Sequence, residues 1–314
     1  MADKRAMGRS LTAVSLMVAL TIGAWSQPLQ FGQKRLEHSA PAKDAAMAGA
    51  FYQLGMDNLH EPSNSDRAID HLEKAVSLDE SNAEYHYMLA EAYMANYEYA
   101  GLVRMPFLAP KVKAQLELAV KCDPSSTVYR EALVQYYVFA PGILGGSYQK
   151  AHEQANEIAK LDPYLGVLAH AGIFAEEGES DKAVTMYQKA IYSRPASWQA
   201  YFHFGEYHRA RGEIDAAIVM FRKYVEVAPE QAESHYQLGR AYQMQRKYPE
   251  TILSFQKAFA LDPSRTPLVF RIAQLYEFMG QNDLAKEEYQ RYLSMVPSGR
   301  AADDARVKIR ALAR

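Results

Sequence analysis

Apolar residues in the second half of the chain recur with two periods at once, a short one that matches a helix and a long one of 34 residues. In the segment Tyr201–Pro229, Tyr201, Phe204, Gly205 and His208 share one helical face. "RGE" breaks that helix at Gly212. Ala217, Phe221, Tyr224 and Val227 then form the inward face of a second helix, and Pro229 ends it because proline cannot continue the hydrogen-bond ladder. The same columns return every 34 residues: Pro195, Pro229, Pro263 and Pro297; Ala183, Ala217, Thr251 and Ala285; Tyr187, Phe221, Phe255 and Tyr289; Ala171, Gly205, Gly239 and Ala273. Four columns with one period define a repeated helix–turn–helix unit. Two antiparallel helices of this length cannot bury their apolar faces alone, so the pattern predicts stacking of each unit on the next.

The first half carries the same unit with departures. "FYQLGMDN" and "AIDHLEKAVSLDE" form repeat 1, with Glu80 at the place of the closing proline. "YHYMLAEAY" and "LELAVKCDP" form repeat 2, "REALVQYY" and "KAHEQANEIAKLDP" repeat 3, each with extra residues between its helices. The small residue of helix A, the alanine and aromatic of helix B and the closing proline resemble the tetratricopeptide repeat. The resemblance covers residues 48–297 and is closest over Tyr164–Pro297. It implies an all-α fold, a right-handed superhelical solenoid of about seven helix–turn–helix units with a C-terminal capping helix. The expected organisation is a signal peptide over 1–26, a tether over 27–43, the array over 44–298 and the cap over 299–314.

Two long turns interrupt the regular spacing. "APGILGGSYQKA" (Ala140–Ala151) reads as the lengthened turn of repeat 3: Pro141 stops helix A, Gly145 and Gly146 permit positive φ, and Ser147 caps helix B. A phosphate loop would need a preceding strand and a Gly-Lys-Ser/Thr ending, and the Ser-x-x-Lys match lacks the companion SDN and KTG motifs. "NYEYAGLVRMPFLAPK" (Asn96–Lys111) reads as the lengthened turn of repeat 2. Its Tyr97, Tyr99, Phe107 and Leu108 either pack against the neighbouring long turn or form a secondary apolar patch for a partner. These lengthened turns resemble those of a subset of exported bacterial proteins built from this repeat.

The N-terminus points to export. Lys4, Arg5 and Arg9 precede an uncharged apolar run from Leu11 to Trp25, and Ala24 and Ser26 supply small residues for cleavage, which places the mature start at Gln27. The run is short for a membrane span. The expected location is the periplasm of a bacterium, with an uncleaved inner-membrane anchor as the alternative, and no other stretch is long enough to span. Cys122 is the only cysteine, so the core must stabilise the fold without disulfides. A net charge of −2 with no Lys/Arg cluster speaks against a nucleic-acid partner.

Catalytic chemistry has no foothold in the sequence. His203 and His208 are on different helix faces, and Glu176-Glu177 and Glu287-Glu288 fall on polar surfaces. No catalytic, cofactor or metal set is assigned; a site assembled across the groove is the alternative reading. The resemblance implies that the fifth residue of each helix A faces a concave groove: Tyr52, Tyr87, Glu131, Leu168, Phe202, Tyr236 and Phe270. Glu91, Glu206, Arg209, Arg240, Gln274 and Glu277 surround them. The Lys and Asn set with which some of these repeats clamp a C-terminal carboxylate is missing. The expected ligand is a protein or peptide segment along repeats 5 to 7, in a membrane-associated complex or free. Phe202, Tyr236 and Phe270 would anchor it, and Arg209 and Arg240 would orient an acidic group. The competing expectation is that these rings close over neighbouring helices.

Overall fold

Helical spacing becomes helix throughout. The structure, a computed structural model, describes residues 42–59, 64–100 and 104–312. Among them are fifteen α-helices and no strand. They pair as α1 (Ala42–Leu59) with α2 (Ser65–Leu78), α3 (Ala83–Ala100) with α4 (Met105–Cys122), and α5 (Thr127–Phe139) with α6 (Tyr148–Leu161). Next come α7 (Pro163–Glu177) with α8 (Ser180–Ser193), α9 (Trp198–Ala210) with α10 (Ile214–Val227), α11 (Ala232–Met244) with α12 (Tyr248–Leu261), and α13 (Pro267–Phe278) with α14 (Asn282–Met295). A last helix, α15 (Arg300–Leu312), packs on α14. The array divides into two compact units, residues up to 186 and residues 187–314. The segments 1–26 and 27–41 lie outside the described residues, and with them the signal-peptide and tether expectations.

The first unit is built around Leu72, Leu89, Leu116, Leu133, Ile158 and Ile173, all buried. Its helix starts are capped as their sequences suggest. Ser126 accepts from Tyr129 N, Ser147 from Lys150 N, and Asp162 from Tyr164 N ahead of Pro163 at the first helical position. Repeat 3 turns through Gly142–Leu144, a short 3-10 segment. Gly145 takes φ +97°, as expected. Gly146 is needed for a different reason: its φ is not positive, but a Cβ there would lie 1.7 Å from the Ala140 carbonyl oxygen.

Repeat 2 differs from the sequence expectation. Its extra residues do not form one long loop: α3 runs on to Ala100 and α4 already begins at Met105. The extended end of α3 is held by a polar bond that periodicity does not reveal. Asn96, 1% exposed, donates to Ser65 Oγ (3.0 Å) at the start of α2 and to Asp66 Oδ1 (2.8 Å). Arg104 joins both Asn96 and Asp66 at 3.0 Å.

The second unit shows why the two strongest columns have their residue types. Phe221 and Phe255 are fully buried. A Cβ on Gly205 would come within 2.6 Å of the Phe221 ring, and one on Gly239 within 2.6 Å of Phe255. The glycine of helix A is the seat for the aromatic of helix B in the same repeat, so the two columns are two halves of one contact. Around Phe255, the residues Val269, Ile272, Ala273 and Tyr289 complete the core.

Candidate functional site

The fifth positions of the A helices are lined with rings, but the structure gives each ring a packing partner. In the first unit Tyr52 is half-buried, donates to Glu84 Oε1 at 2.6 Å and stacks on Tyr85 with centroids 5.1 Å apart. Tyr87 lies 5.3 Å from the Tyr129 ring and hydrogen-bonds Glu91. Burial is the main cause that raises both phenols above their ordinary pKa, so they stay neutral donors. Leu168 is buried.

Glu131, in the same column, is half-buried. Burial, helped by the charge of Asp162, pushes its carboxyl up to about 7. Because the folded-state value exceeds the ordinary one, its contribution to stability is complete below about pH 4.5 and is lost as pH rises through about 7. Glu131→Gln is expected to leave stability unchanged near pH 4 and to raise it at pH 8 by about 1–2 kcal/mol, after allowance for partial solvation. Urea unfolding at the two pH values checks this, and an equal effect at both would contradict it.

In the second unit the column splits. Phe202 is 2% exposed, set edge-on to Trp198 (6.3 Å) and Tyr224 (5.9 Å). It belongs to the core and cannot anchor a ligand on the surface, because the first turn of α9 folds Trp198 over Tyr224 beside it. Glu206 is 9% exposed, and it holds Arg209 in a bidentate pair at 2.8 and 2.6 Å. Arg209 is thereby committed within its own helix, not presented to a ligand. Beside this pair, burial pushes the His203 imidazole down to about 4.

Tyr236 and Phe270 are half-buried, as Tyr52 and Tyr87 are. Phe270 rests edge-on against Tyr289 (5.3 Å) and Tyr292 (5.2 Å). Tyr236 stacks on Phe255 at 5.9 Å and carries two guanidinium groups, Arg240 at 5.6 Å and Arg265 at 5.3 Å from its centroid. Arg265 is tied to Glu233 (2.8 Å) and Asp262 (3.0 Å), whereas among the described residues Arg240 holds only the neutral Gln237, at 3.1 Å. Glu277 accepts from Tyr289 Oη and from Lys308, both at 2.8 Å, which fastens α15 to α13. Gln274 is exposed.

The secondary patch is reduced. Phe107 is 74% exposed and Leu108 half-buried, while the side chains of Tyr97 and Tyr99 lie outside the described residues. Among the described residues no group of His, Cys, Asp and Glu has metal-ligating geometry. Sequence reasoning missed Arg246, Arg271, Met244 and Phe278, which line a cleft of about 350 Å³ with Gln274. The signal was available: Gly178, Gly212 and Gly280 keep the 34-residue spacing, and Arg246 stands in their column.

A tetratricopeptide-repeat family model matches residues 168–225 and 204–266, and a second model of the same repeat matches 267–298. No curated protein matches the chain. Among solved structures, the crystal structure of MamA aligns with a TM-score of 0.41 at 21% identity, covering 48% of this chain and 88% of that one. The human IFIT1 dimer with PPP-AAAA aligns with a TM-score of 0.47 at 20% identity, covering 80% of this chain and 59% of that one.

Proposed function

The chain is a tetratricopeptide-repeat protein, and on that premise we propose that it is an exported scaffold that holds a protein or peptide segment against the A helices of repeats 5 to 7, without chemistry of its own. The observation that carries this reading is Tyr236. It is a half-buried aromatic platform, and Arg240 above it is bound, among the described residues, to the neutral amide of Gln237 alone. A tyrosine with a guanidinium over its face is rigid, amphipathic and inexpensive in side-chain entropy, which is what a binding anchor requires. Phe270 supplies the corresponding apolar surface one repeat later. Buried Phe202 and paired Arg209 are left out of the anchor set, so the reading rests on Tyr236, Arg240 and Phe270.

Export to the bacterial periplasm belongs to the same proposal and rests on the charged start, the apolar run and Ala24–Ser26. Among the described residues no helix is long and apolar enough to cross a membrane. Affinity capture of the mature chain from its own envelope identifies the partner. Tyr236→Ala with Phe270→Ala is expected to weaken that partner by about 2 kcal/mol or more, roughly thirtyfold, with helicity by circular dichroism unchanged. Full retention of binding would move the site away from these helices, towards Phe107.

A further inference from the structure

The turns between helix A and helix B of repeats 4, 5 and 7 each place a glycine in the left-handed region, at φ +84° (Gly178), +76° (Gly212) and +71° (Gly280). Repeat 6 makes the same turn with Arg246, at φ +59°, the one non-glycine residue with positive φ among the described residues. A side chain in this region is disfavoured by contact of its Cβ with the backbone, and glycine avoids that cost. Strain kept in one repeat of a series is a reason to look for what the side chain does there.

Arg246 and Arg271 both line a cleft of about 350 Å³ between the turn of repeat 6 and helix α13, together with Met244, Leu275 and Phe278. Among the described residues no acidic one lines it. Other arginines near the A helices of this unit each have a polar contact: Arg209 with Glu206, Arg265 with Glu233 and Asp262, Arg222 with Tyr242 Oη and Arg240 with the neutral Gln237. The guanidinium groups of Arg246 and Arg271 have no partner among the described residues, and both are exposed. Beside these charges, Phe278 is 72% and Met244 51% exposed, although Phe278 is steadied edge-on by Tyr248 at 4.9 Å. Two uncompensated cations beside the exposed side chains of Met244 and Phe278 match one ligand chemistry, a carboxylate next to a large apolar group.

We propose that this cleft binds a partner's peptide segment in which an acidic side chain, held by Arg246 and Arg271, adjoins a bulky apolar side chain seated on Met244, Leu275 and Phe278. The inference rests on the scaffold reading and gives the acid-recognising role, which paired Arg209 cannot fill, to Arg246 and Arg271. Two arginines do not make a phosphate track, and the chain carries a net charge of −2 with no Lys/Arg cluster, so the segment is a peptide. Gln274, at the rim, supplies an amide for the peptide main chain.

The test is selection of a random twelve-residue display library against the full chain, followed by fluorescence polarisation with the enriched peptide made synthetically. The expected peptides pair Asp or Glu with Leu, Phe or Trp. Arg271→Ala and Arg246→Gly should each weaken them by about tenfold or more. Because glycine relieves the left-handed strain, Arg246→Gly should melt no lower than the wild type, which separates lost binding from lost folding. Replacing the acid of the peptide by its amide should reproduce the loss, and added salt should weaken the wild-type complex. Peptides without an acid, or binding indifferent to both arginine variants, would overturn the cleft. If such peptides still depend on Tyr236 and Phe270, the scaffold reading stands without it. If no peptide is enriched, both fail. Tight binding of an oligouridylate lost in Arg246→Gly would make the ligand a nucleic acid and also overturn the proposal.

Discussion

Phe255→Ala is expected to destabilise the second unit by about 3–5 kcal/mol. The ring is fully buried, seated on Gly239 of its own repeat and stacked on Tyr236, and Ile272 and Tyr289 close the same core. Removing it opens a cavity that the rigid Gly239 seat cannot fill. Because neighbouring repeats share their interfaces, the loss should spread to Tyr289 and Ala273 and not stay within repeat 6. Guanidinium unfolding followed by circular dichroism checks the magnitude, and amide exchange checks the spread. An unchanged midpoint would mean that the assigned repeat register is wrong.

Gly166→Leu is expected to cost about 3 kcal/mol, in the first unit. A Cβ at Gly166 would lie 2.4 Å from Ala159 Cβ and 2.5 Å from Ala159 Cα, so the clash involves the backbone of α6 and no rotamer relieves it. Gly172, on the same helix, is the internal control, because among the described residues nothing lies within 4 Å of its Cβ position. Gly172→Ala should stabilise by about 0.5–1 kcal/mol through helix propensity alone. Thermal melts of the two variants side by side test the packing of α6 on α7. Equal effects at both glycines would mean that the two helices are not in contact there.

Much of the architecture was legible because it is written in apolar spacing. The columns at Gly205, Ala217, Phe221 and Pro229 set helix boundaries that the structure reproduces to within a few residues. The boundary at repeat 2 was not legible, because α3 is prolonged by the side-chain bonds of Asn96 to Ser65 and Asp66, and a polar contact across 31 residues leaves no period. At Gly146 the sequence shows that a glycine is required but not why, since a close backbone approach and a positive φ look the same in sequence.

The candidate site was less legible than the fold. A position on a helix face says which way a residue starts, not whether a ring lies over it. Phe202 and Tyr236 occupy the same place in successive repeats, yet Trp198 lies against Phe202 while the corresponding residue in repeat 6 is Ala232, and Tyr236 is less deeply buried than Phe202. Likewise Arg209 is neutralised because Glu206 stands three residues before it, whereas Arg240 has Gln237. Arg246 was visible as a break in a glycine column, but its meaning depends on a cleft made with α13, which only the fold brings together.

Amide hydrogen exchange of the full chain, with and without the partner captured from its envelope, tests the interaction groove most directly. Binding should protect α11 and α13, around Tyr236, Arg240 and Phe270, and leave α2 and α4 of the first unit at their free rates. Protection confined to the segment around Phe107, with α11 and α13 unchanged, would contradict it.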